Sequence, residues 1–530
     1  MHQHTAWERF KSCFTSHPSI GLSVDVSKMH FGAKFFAEMQ APVQRAFDAM
    51  EALEKGAIAN PDEKRQVGHY WLRAPELAPT DEVRRQIEAA VQQVQRFAEA
   101  VHSGRIHPPQ AERFTDVIHI GIGGSALGPQ FAADALGGVG DKMRLHFLDN
   151  TDPDGIHRVL DLLGVEGLKR ALVVVVSKSG GTKETRNGML ETQAAFQRAG
   201  LDFAKQAVAV TGEGSDLSKT ATAQGWIEQF PMWSWVGGRT SQTSAVGLLP
   251  AALQGIDVRE ILEGAKACDE VTRVRDARAN PAMLLALMWL YACSGGIKKD
   301  MVVLPYKDRL GLLTRYLQQL IMESLGKALD SAGNVVQQGI AVYGNKGSTD
   351  QHAYVQQLRE GYHNFFVTFL DVKSDGAAAL KVEEGDVTSG DYLLGFMLGT
   401  RAALYDNDRE SITLTLDNIS PRSFGVIIAL YERAVGFFAS MVGINAYHQP
   451  GVEAGKRAAN EVIALQRRLV AYLAACKEPQ TAEQIAVHLS VVDQTETVFK
   501  ILEHLAANAD RGVRKHPASS PFEARYEARR

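Results

Sequence analysis

The sequence predicts an α/β protein in which two doubly wound parallel-sheet units follow each other along the chain, with helical segments at both ends. Three observations support this prediction. Short apolar runs alternate with helical stretches, the order typical of a parallel sheet. The first run ends in a glycine turn that leads into a helix. A second set of runs begins near residue 300, after a helical stretch.

The first α/β unit is predicted to span residues 111–275, with strands at 117–120, 145–148, 171–176 and 207–211. The second is predicted to span residues 276–459. Its strand candidates are 301–304, 335–343 and 365–372, and a long amphipathic helix is expected over 310–329 between the first two.

The two ends of the chain have helical patterns. Residues 1–110 are rich in Glu, Gln, Arg and Ala between apolar positions at helical spacing, so a helical segment is expected there. Residues 460–530 are also expected to form a helical extension. Within it, residues 481–505 could hold a helix pair resembling a helix-turn-helix; the alternative is a small helical appendage with a charged tail, which the acidic balance of the chain favours.

The composition is that of an ordinary folded, water-soluble protein. Of 530 residues, 45% are hydrophobic and 22% charged, which excludes a mainly disordered or collagen-like chain. The 57 Lys and Arg against 61 Asp and Glu give a formal net charge of −4. No overall cationic field is therefore available to hold nucleic acid or an anionic membrane surface, and we expect neither partner.

Cysteine usage and the N-terminus predict a reducing, cytoplasmic location. The four cysteines, Cys13, Cys268, Cys293 and Cys476, form no CxxC pair, which argues against a disulfide framework and a structural zinc site. The polar N-terminus lacks the apolar run of a signal peptide. The longest unbroken apolar run, 282–293, is shorter than the roughly 20 residues that cross a bilayer, so a core helix is expected there.

The first glycine turn allows two interpretations. Gly121, Gly123 and Ala126 have the spacing of the dinucleotide fingerprint, and Asp149 at the end of the next predicted strand could bind a ribose. The same turn also leaves main-chain N–H groups free at a helix N-terminus, so it suits any phosphate or oxyanion. The turn alone does not select a nucleotide.

The loop after the strand at 171–176 favours a phosphate monoester. Ser177, Lys178, Ser179 and Thr182, with two glycines between them, place three hydroxyls and a cation at a strand-to-helix turn. Hydroxyls and main-chain N–H groups can donate to phosphate oxygens, and the helix N-terminus favours the dianion. The alternative is a turn that caps the following helix, which needs one hydroxyl rather than three.

Six motifs in order resemble the glucose-6-phosphate isomerase family, whose members are built from sugar-isomerase (SIS) domains. They are GIGGSALGP (121–129), SKSGGTKET (177–185), WVGGRTSQ (235–242), MESLGK (322–327), QHAY (351–354) and QPGVEAGK (449–456). The resemblance covers about residues 115–456. It implies two SIS domains that hold a phosphosugar between them, isomerisation of glucose 6-phosphate and fructose 6-phosphate in glycolysis and gluconeogenesis, and no cofactor or metal.

The resemblance assigns proton transfer between C1 and C2 to Glu323. A carboxylate can remove a carbon-bound proton and return it to the neighbouring carbon through a cis-enediolate. On a helix, Glu323 lies at the margin of the apolar stripe, and Gln319, one turn earlier, corresponds to a substrate-contacting glutamine. The alternative for Glu323 is an ordinary i,i+4 ion pair with Lys327.

Arg239 and His352 are the other expected catalytic residues of the central region. Gly238 lacks a side chain and allows close main-chain approach to a ligand, and the adjacent Arg239 could neutralise enediolate oxygens. Ser348 and Gln351 have capping-box spacing, which predicts that His352 lies in the first turn of a helix, where it stays neutral and can exchange a proton. In the family this histidine comes from the neighbouring subunit, which implies a homodimer with shared active sites.

Two further residues are expected near the C-terminal end of the match. Gln449 and Lys456 are two helical turns apart, so both can face one cleft if the segment is helical after Pro450. The family assigns ring opening to the lysine, with His352. Gly124 and Ser125 of the first turn are expected to contact the substrate together with the 177–182 loop.

Three departures from the family pattern lie beside these residues. Thr240 stands where Phe or Tyr is usual, His448 where Asp or Asn is usual, and Gly180-Gly181 where many relatives have larger residues. Two other functions are compatible with parts of the sequence: a non-catalytic SIS phosphosugar-binding regulator, and a dinucleotide-dependent oxidoreductase. The joint presence of Glu323 and Arg239 with the other expected catalytic residues favours the isomerase.

Overall fold

The computed structural model describes residues 2–294, 298–378, 380–382 and 385–529, without the side chains of residues 2–5, 452–454 and 456. Its internal packing separates the chain into two compact units, Met1–His448 and Gln449–Arg530.

The described part of the chain contains these strands: β1 (Phe14–His17), β2 (Leu22–Lys28), β3 (Asp116–Ile120), β4 (Arg144–Leu148), β5 (Ala171–Ser177), β6 (Ala207–Thr211), β7 (Glu228–Pro231), β8 (Asp300–Pro305), β9 (Lys327–Leu329), β10 (Val335–Gln338), β11 (Val342–Tyr343), β12 (Phe365–Val372), β13 (Ser411–Leu416), β14 (Val513–His516) and β15 (Arg525–Ala528).

Its α-helices are α1 (His2–Cys13), α2 (Phe35–Glu38), α3 (Gln40–Glu54), α4 (Asp81–His102), α5 (Leu127–Leu136), α6 (Pro153–Leu168), α7 (Lys183–Arg198), α8 (Asp216–Gln224), α9 (Ala245–Gln254), α10 (Val258–Thr272), α11 (Pro281–Cys293), α12 (Leu313–Leu317), α13 (Val355–Glu360), α14 (Ser389–Tyr405), α15 (Pro421–Val442), α16 (Pro450–Ala475), α17 (Ala482–His488) and α18 (Thr495–Ala507).

The first sheet has five parallel strands in the order β4-β3-β5-β6-β7. Its central strand β5 is buried along its whole length. Val174 and Val176 belong to one apolar cluster, whereas Val173 and Val175 belong to another, because successive side chains point to opposite faces. A core on each face defines a doubly wound sheet and confirms the predicted fold class. The four predicted strands are confirmed as β3 to β6, and β7 was not predicted.

The second sheet is mixed and has six strands in the order β1-β2-β13-β12-β8-β11. Four neighbouring strands, β13 to β11, are parallel, and β2 and β1 extend the sheet in antiparallel fashion. The expectation of a wholly helical N-terminal segment is therefore wrong. In β2, Leu22, Val24 and Val26 alternate with short polar residues, a period of two that fits a strand.

Two expectations for the second sheet also need correction. The run 335–343 is not one strand: β10 pairs with β9 in a separate two-stranded sheet, and only β11 joins β8. The helix expected over 310–329 consists of α12 followed by a π-helical turn, Gln318–Glu323, and residues 327–329 form β9. The predicted domain limits at residues 110, 275 and 459 stay predictions.

The helices of the first unit include two strongly apolar ones. The run at 282–293 lies in α11 and is buried, as expected of a core helix. Helix α15 is, among the described residues, the one helix long and apolar enough to cross a membrane, and 89% of its most apolar window is buried inside the protein. Burial of that kind is what the core helix of a folded domain shows.

The second unit is not purely helical, contrary to the sequence expectation. Helices α16, α17 and α18 are followed by an antiparallel hairpin of β14 and β15, and Gln480 bridges Tyr526 of that hairpin. Helices α17 and α18 are the helix pair expected within residues 481–505. Helix α18 carries Glu496 and Glu503 against Lys500, so its charge does not favour phosphate, and the absence of a nucleic-acid partner stays a prediction.

Candidate active site

The two loops singled out by the sequence lie side by side. Strands β3 and β5 are parallel neighbours, and each loop follows the carboxyl end of its strand. The carboxyl ends of parallel strands are where open α/β sheets bind ligands. The structure therefore brings the 121–126 turn and the 177–182 loop to one edge of the first sheet.

The hydroxyls of the 177–182 loop are arranged around main-chain N–H groups. Ser177 Oγ accepts from Gly180 N at 3.1 Å, and Ser179 Oγ accepts from Gly181 N at 3.2 Å. Ser177 Oγ donates to Thr182 Oγ1 at 3.5 Å. Thr182 precedes α7 but its side chain makes no capping hydrogen bond. The alternative, a loop that only caps the next helix through Thr182, is not what the structure has.

Gly180 is required by the shape of this loop. Its φ is +72°, and a Cβ at this position would lie 2.3 Å from Leu217 N. A larger residue would have the wrong backbone preference and would collide with the start of α8. Contact with the start of α8 therefore explains why this chain has glycine at position 180, where many relatives have larger residues.

The ammonium group of Lys178 does not join the hydroxyls of the loop. Lys178 Nζ donates to Val236 O at 2.6 Å, next to the Gly237–Arg239 segment. Burial lowers the pKa of Lys178 to about 8, with Arg65 nearby adding to the effect. The Lys178 side chain thus connects the 177–182 loop to the segment that carries Arg239.

Two glycine turns pack main chain against main chain. A Cβ on Gly124 would lie 2.0 Å from Gly238 O and 2.8 Å from Arg239 N, so only glycine fits at this position. Ser241 Oγ lies 3.3 Å from Gly124 O, to which it donates. The turn that carries Gly124 and Ser125 is thereby fixed against the turn that carries Arg239.

Ser125 is fixed from the other side by a buried histidine. His119 Nε2 lies 2.7 Å from the Ser125 carbonyl oxygen, and burial lowers the pKa of His119 to about 4. The imidazole is therefore neutral, and it donates its Nε2 proton to this carbonyl.

Arg239 and Glu323 form an ion pair in this region. Arg239 Nη1 lies 2.9 Å from Glu323 Oε2, and the side chains are 6% and 20% exposed. Arg239 Nη2 donates to the carbonyl oxygens of Ala446 at 2.8 Å and His448 at 3.0 Å. Burial lowers the pKa of Arg239, and the charge of Glu323 opposes that shift. The guanidinium is held on two sides and directed at the carboxylate.

Glu323 ends the π-helical turn that also carries Gln319. Short π-helical segments in α-helices occur frequently at functional sites. Gln319 Nε2 lies 3.0 Å from where a Cβ on Gly123 would be, so this side chain reaches the first glycine turn. The π-helical turn thus directs one residue to the glycine turn and another to Arg239.

Lys327 is a residue of this site that the sequence analysis treated only as an ion-pair partner. The alternative for Glu323, an ordinary i,i+4 pair with Lys327, does not form: Lys327 Nζ donates to the main-chain oxygen of Glu323 at 2.6 Å. Burial, together with the charge of Arg239, lowers the pKa of Lys327 to about 8, and the charge of Glu323 opposes this shift. The position of Lys327 in the MESLGK motif, four residues after Glu323, was the sequence feature that could have indicated its place in this site.

His352 is not brought to Glu323 or Arg239 within the described chain. It is exposed and ends a 3₁₀ turn, Thr349–His352. The expected capping box is wrong, because Ser348 makes no side-chain cap and Gln351 Nε2 instead donates to Thr400 Oγ1. The argument for a neutral imidazole from a helix N-terminus therefore does not apply.

Gln449 and Lys456 belong to the second unit. Helix α16 begins at Pro450, as expected, and Gln449 is its N-cap residue with φ −145° and ψ 65°. The condition that the segment is helical after Pro450 is met, and the prediction that Gln449 and Lys456 face one cleft stays a prediction. The side chain of Lys456 lies outside the described residues.

The possible ribose ligand after the first glycine turn already has two side-chain partners. Asp149, the possible ribose ligand, accepts from Gln130 Nε2 at 2.8 Å and lies 3.2 Å from Arg315 Nη2. Over the described ranges, no three His, Cys, Asp or Glu side chains cluster as a metal site would.

Comparison with known proteins supplies the family. The family model described as "Phosphoglucose isomerase" matches residues 25–390 and 395–471. A glucose-6-phosphate isomerase of Geobacter sulfurreducens is 59% identical over 529 residues and 100% of both chains. One from Nostoc punctiforme is 57% identical over 96% of both chains. The crystal structure of a glucose-6-phosphate isomerase from Chlamydia trachomatis has a TM-score of 0.78 and 28% identity, and covers 87% of this chain and 91% of its own.

Proposed function

The chain belongs to the phosphoglucose isomerase family, and we propose that it carries out the family's reaction with Glu323 as the proton-transferring base and Arg239 as its cationic partner. The protein is an aldose–ketose isomerase that interconverts glucose 6-phosphate and fructose 6-phosphate, a step of glycolysis and gluconeogenesis.

The Arg239–Glu323 pair is the observation that supports these roles. Isomerisation needs a base for a proton on C1 or C2 and a positive charge near the oxygens of the enediolate. The two side chains approach to 2.9 Å and are mostly buried. Because the carbonyls of Ala446 and His448 already hold the guanidinium, little reorganisation is needed when negative charge develops on the substrate.

The phosphate group is proposed to bind at the edge of the first sheet. Ser177, Ser179 and Thr182 would donate hydroxyl protons, and Ser125 with Gly124 would border the same space. The N-terminus of α7 favours the dianion there. Lys178, with its ammonium group at Val236 O, would contribute charge at the border of this site rather than a direct contact.

The remaining expected residues complete the proposal. His352 and Lys456 would assist ring opening, and Gln319, Gln449 and Gly238 would contact the sugar. Gln319 is supported by its approach to the first glycine turn. The side chain of His352 is exposed and is not paired with Glu323 of its own chain. An exposed position of this kind is what we expect of a residue that acts in the neighbouring subunit. We therefore propose a cytoplasmic homodimer with shared active sites, which needs no metal or cofactor.

The role of Glu323 as the base is tested by measuring how much deuterium the product takes up from the solvent. Purified protein is incubated with fructose 6-phosphate in D2O, and glucose 6-phosphate and its deuterium content at C2 are followed by NMR. The wild-type protein should give product labelled at C2, and Glu323→Gln should give neither product nor exchange. The matched control is Glu166→Gln, which alters an exposed glutamate that pairs with Lys169 on α6 and should leave the rate unchanged. Isomerisation by Glu323→Gln at the wild-type rate would refute the assignment.

Shared active sites are tested by mixing two inactive variants. Glu323→Gln and His352→Ala homodimers are combined under conditions that exchange subunits. Mixed dimers would contain one intact site if His352 acts across the interface, so part of the activity should return. Absence of recovery, with subunit exchange verified by mass spectrometry, would contradict sharing.

A further inference from the structure

A second cavity lies in the first unit, among α3, α10, α15 and the segment after α10. Its volume is about 340 Å³, within the range of small-molecule sites. The lining residues are Phe47, Met50, Glu51, Glu54, Lys55, Leu77, Thr272, Arg273, Arg275, Arg433 and Phe437. None of them belongs to the Glu323–Arg239 site or to the 177–182 loop.

The floor of this cavity is apolar. Phe47, Met50 and Phe437 are all buried and line it. The rings of Phe47 and Phe437 meet edge to face with their centroids 5.3 Å apart. This floor therefore suits a ligand with an aromatic or alkyl body, because contact would remove water from the apolar surface of both the ligand and the floor.

The wall of the cavity carries guanidinium groups. Arg273 pairs with Glu54 at 3.0 Å, and Arg433 pairs with Glu54 at 2.6 Å and with Asp269 at 3.0 Å. The side chain of Arg433 is 1% exposed, and within the described residues its Nε–H has no hydrogen-bond acceptor. Because this atom is closed off from solvent, Arg433 only bounds the cavity, and the guanidinium groups that a ligand could reach are those of the partly exposed Arg273 and Arg275.

The rim offers a third guanidinium, that of Arg275, whose carboxylate partners can be displaced. Arg275 pairs with Asp48 and with Glu51, and its Nη1 lies 2.9 Å from the Glu51 carboxylate. These carboxylates are 62% and 51% exposed, and ion pairs of this kind contribute little to stability. Arg275 also lies over the Phe47 ring at 5.5 Å, so it borders the apolar floor directly.

We infer that this cavity is a second ligand site, which takes a small organic carboxylate with an aromatic or alkyl body. The body would lie on Phe47, Met50 and Phe437, and the carboxylate would accept from the partly exposed guanidinium groups of Arg273 and Arg275. The planar fork of arginine matches a carboxylate better than it matches a neutral hydroxyl. A phosphosugar is a poor fit, because its hydroxyls would face the apolar floor without partners.

The probe for this inference is 4-phenylbutyrate, with 4-phenylbutanol as its uncharged counterpart. For a ligand of about 12 non-hydrogen atoms at the ligand efficiency usual for drug-sized molecules, the expected Kd is about 2 mM. Binding to the full-length protein is measured by saturation-transfer NMR and calorimetry. We expect the alcohol to bind at least about tenfold more weakly, and saturating fructose 6-phosphate to leave the binding of 4-phenylbutyrate unchanged.

Two variants and one matched control locate the site. Leu77→Trp places a larger side chain at the rim, where Leu77 is 36% exposed, and should weaken binding about tenfold or more. Arg275→Gln removes the rim cation and should weaken the carboxylate but not the alcohol. Leu162→Trp makes the same change at a 76% exposed leucine of α6 and should have no effect.

The inference is overturned by any of four results. These are no binding of 4-phenylbutyrate, equal binding of the alcohol, unchanged binding in both Leu77→Trp and Arg275→Gln, or displacement by fructose 6-phosphate. The last result would place the probe in the phosphosugar site. If Leu77→Trp does not fold, Arg275→Gln decides alone, because Arg275 is partly exposed and its ion pairs are with exposed carboxylates.

Discussion

Replacing Gly124 by alanine should separate the two turns that position Arg239. The new Cβ would lie 2.0 Å from Gly238 O, whereas ordinary contact begins near 3.4 Å, so the turns must move apart by about 1.4 Å. The Arg239–Glu323 pair, now at 2.9 Å, would be displaced by a comparable amount. The two atoms that the new Cβ would overlap, Gly238 O and Arg239 N, belong to the main chain, so rotation of a side chain cannot relieve the overlap.

The expected effect on catalysis follows from that displacement. A misplacement of about 1 Å in a catalytic site costs about 10²-fold in rate, or about 2.7 kcal/mol of activation free energy. We therefore expect kcat of Gly124→Ala to fall about a hundredfold. The overlap should also lower the free energy of unfolding by about 1–3 kcal/mol, so the protein should still fold.

The assay is steady-state conversion of fructose 6-phosphate, with circular dichroism and Tm measured on the same samples. The control is Gly140→Ala, because a Cβ on Gly140 meets nothing within 4 Å. Gly140→Ala should keep the wild-type kcat and Tm. A wild-type kcat in a folded Gly124→Ala would refute the view that main-chain contact between these turns sets the position of Arg239.

Three further outcomes are expected. Asp269→Asn removes the charge that Arg73 and Arg433 share inside the protein, so urea unfolding should show a loss of about 3–5 kcal/mol; an unchanged midpoint would contradict this. Burial lowers the pKa of Lys327 from 10.5 to about 8, so the unfolded chain binds more protons between these values and stability should rise with pH there. Urea titrations at several pH values should show less of this rise in Lys327→Met, and an identical rise would exclude Lys327 as a source. Ser177→Ala should raise the KM for fructose 6-phosphate about tenfold with little change in kcat, and steady-state kinetics with the reverse pattern would argue against a phosphate contact.

The continuously apolar strand β5 was predicted, whereas β2, in which polar and apolar residues alternate, was not. The run in β5 is buried on both faces and its sequence is continuously apolar. In β2, Ser23, Asp25 and Ser27 alternate with apolar residues and are buried as well. Asp25 is accommodated by an ion pair with Arg401, a partner that lies far along the chain. The period of two in β2 indicates a strand, but the burial of its polar face depends on tertiary pairing, for which the local sequence has no signal.

The site was predictable in composition but not in geometry. The hydroxyls of the 177–182 loop could be read from the sequence, because a strand-to-helix turn exposes them by its nature. The direction of Lys178 could not, since its long flexible stem reaches the carbonyl of Val236 instead of the loop. A helical period also cannot foresee the π-helical turn that places Glu323 opposite Arg239.

Two departures from the family pattern have a common physical explanation in the way Arg239 is held. The guanidinium donates to the main-chain oxygens of Ala446 and His448, and neither bond uses the side chain of His448. The hydroxyl of Thr240 donates to Gly237 O at 3.3 Å, within the same turn. Since every residue supplies a carbonyl oxygen, substitution at position 448 leaves the clamp on Arg239 in place. The side chain at position 448 can therefore vary while the arginine keeps its direction toward Glu323, and the threonine at position 240 adds a hydrogen bond within the turn.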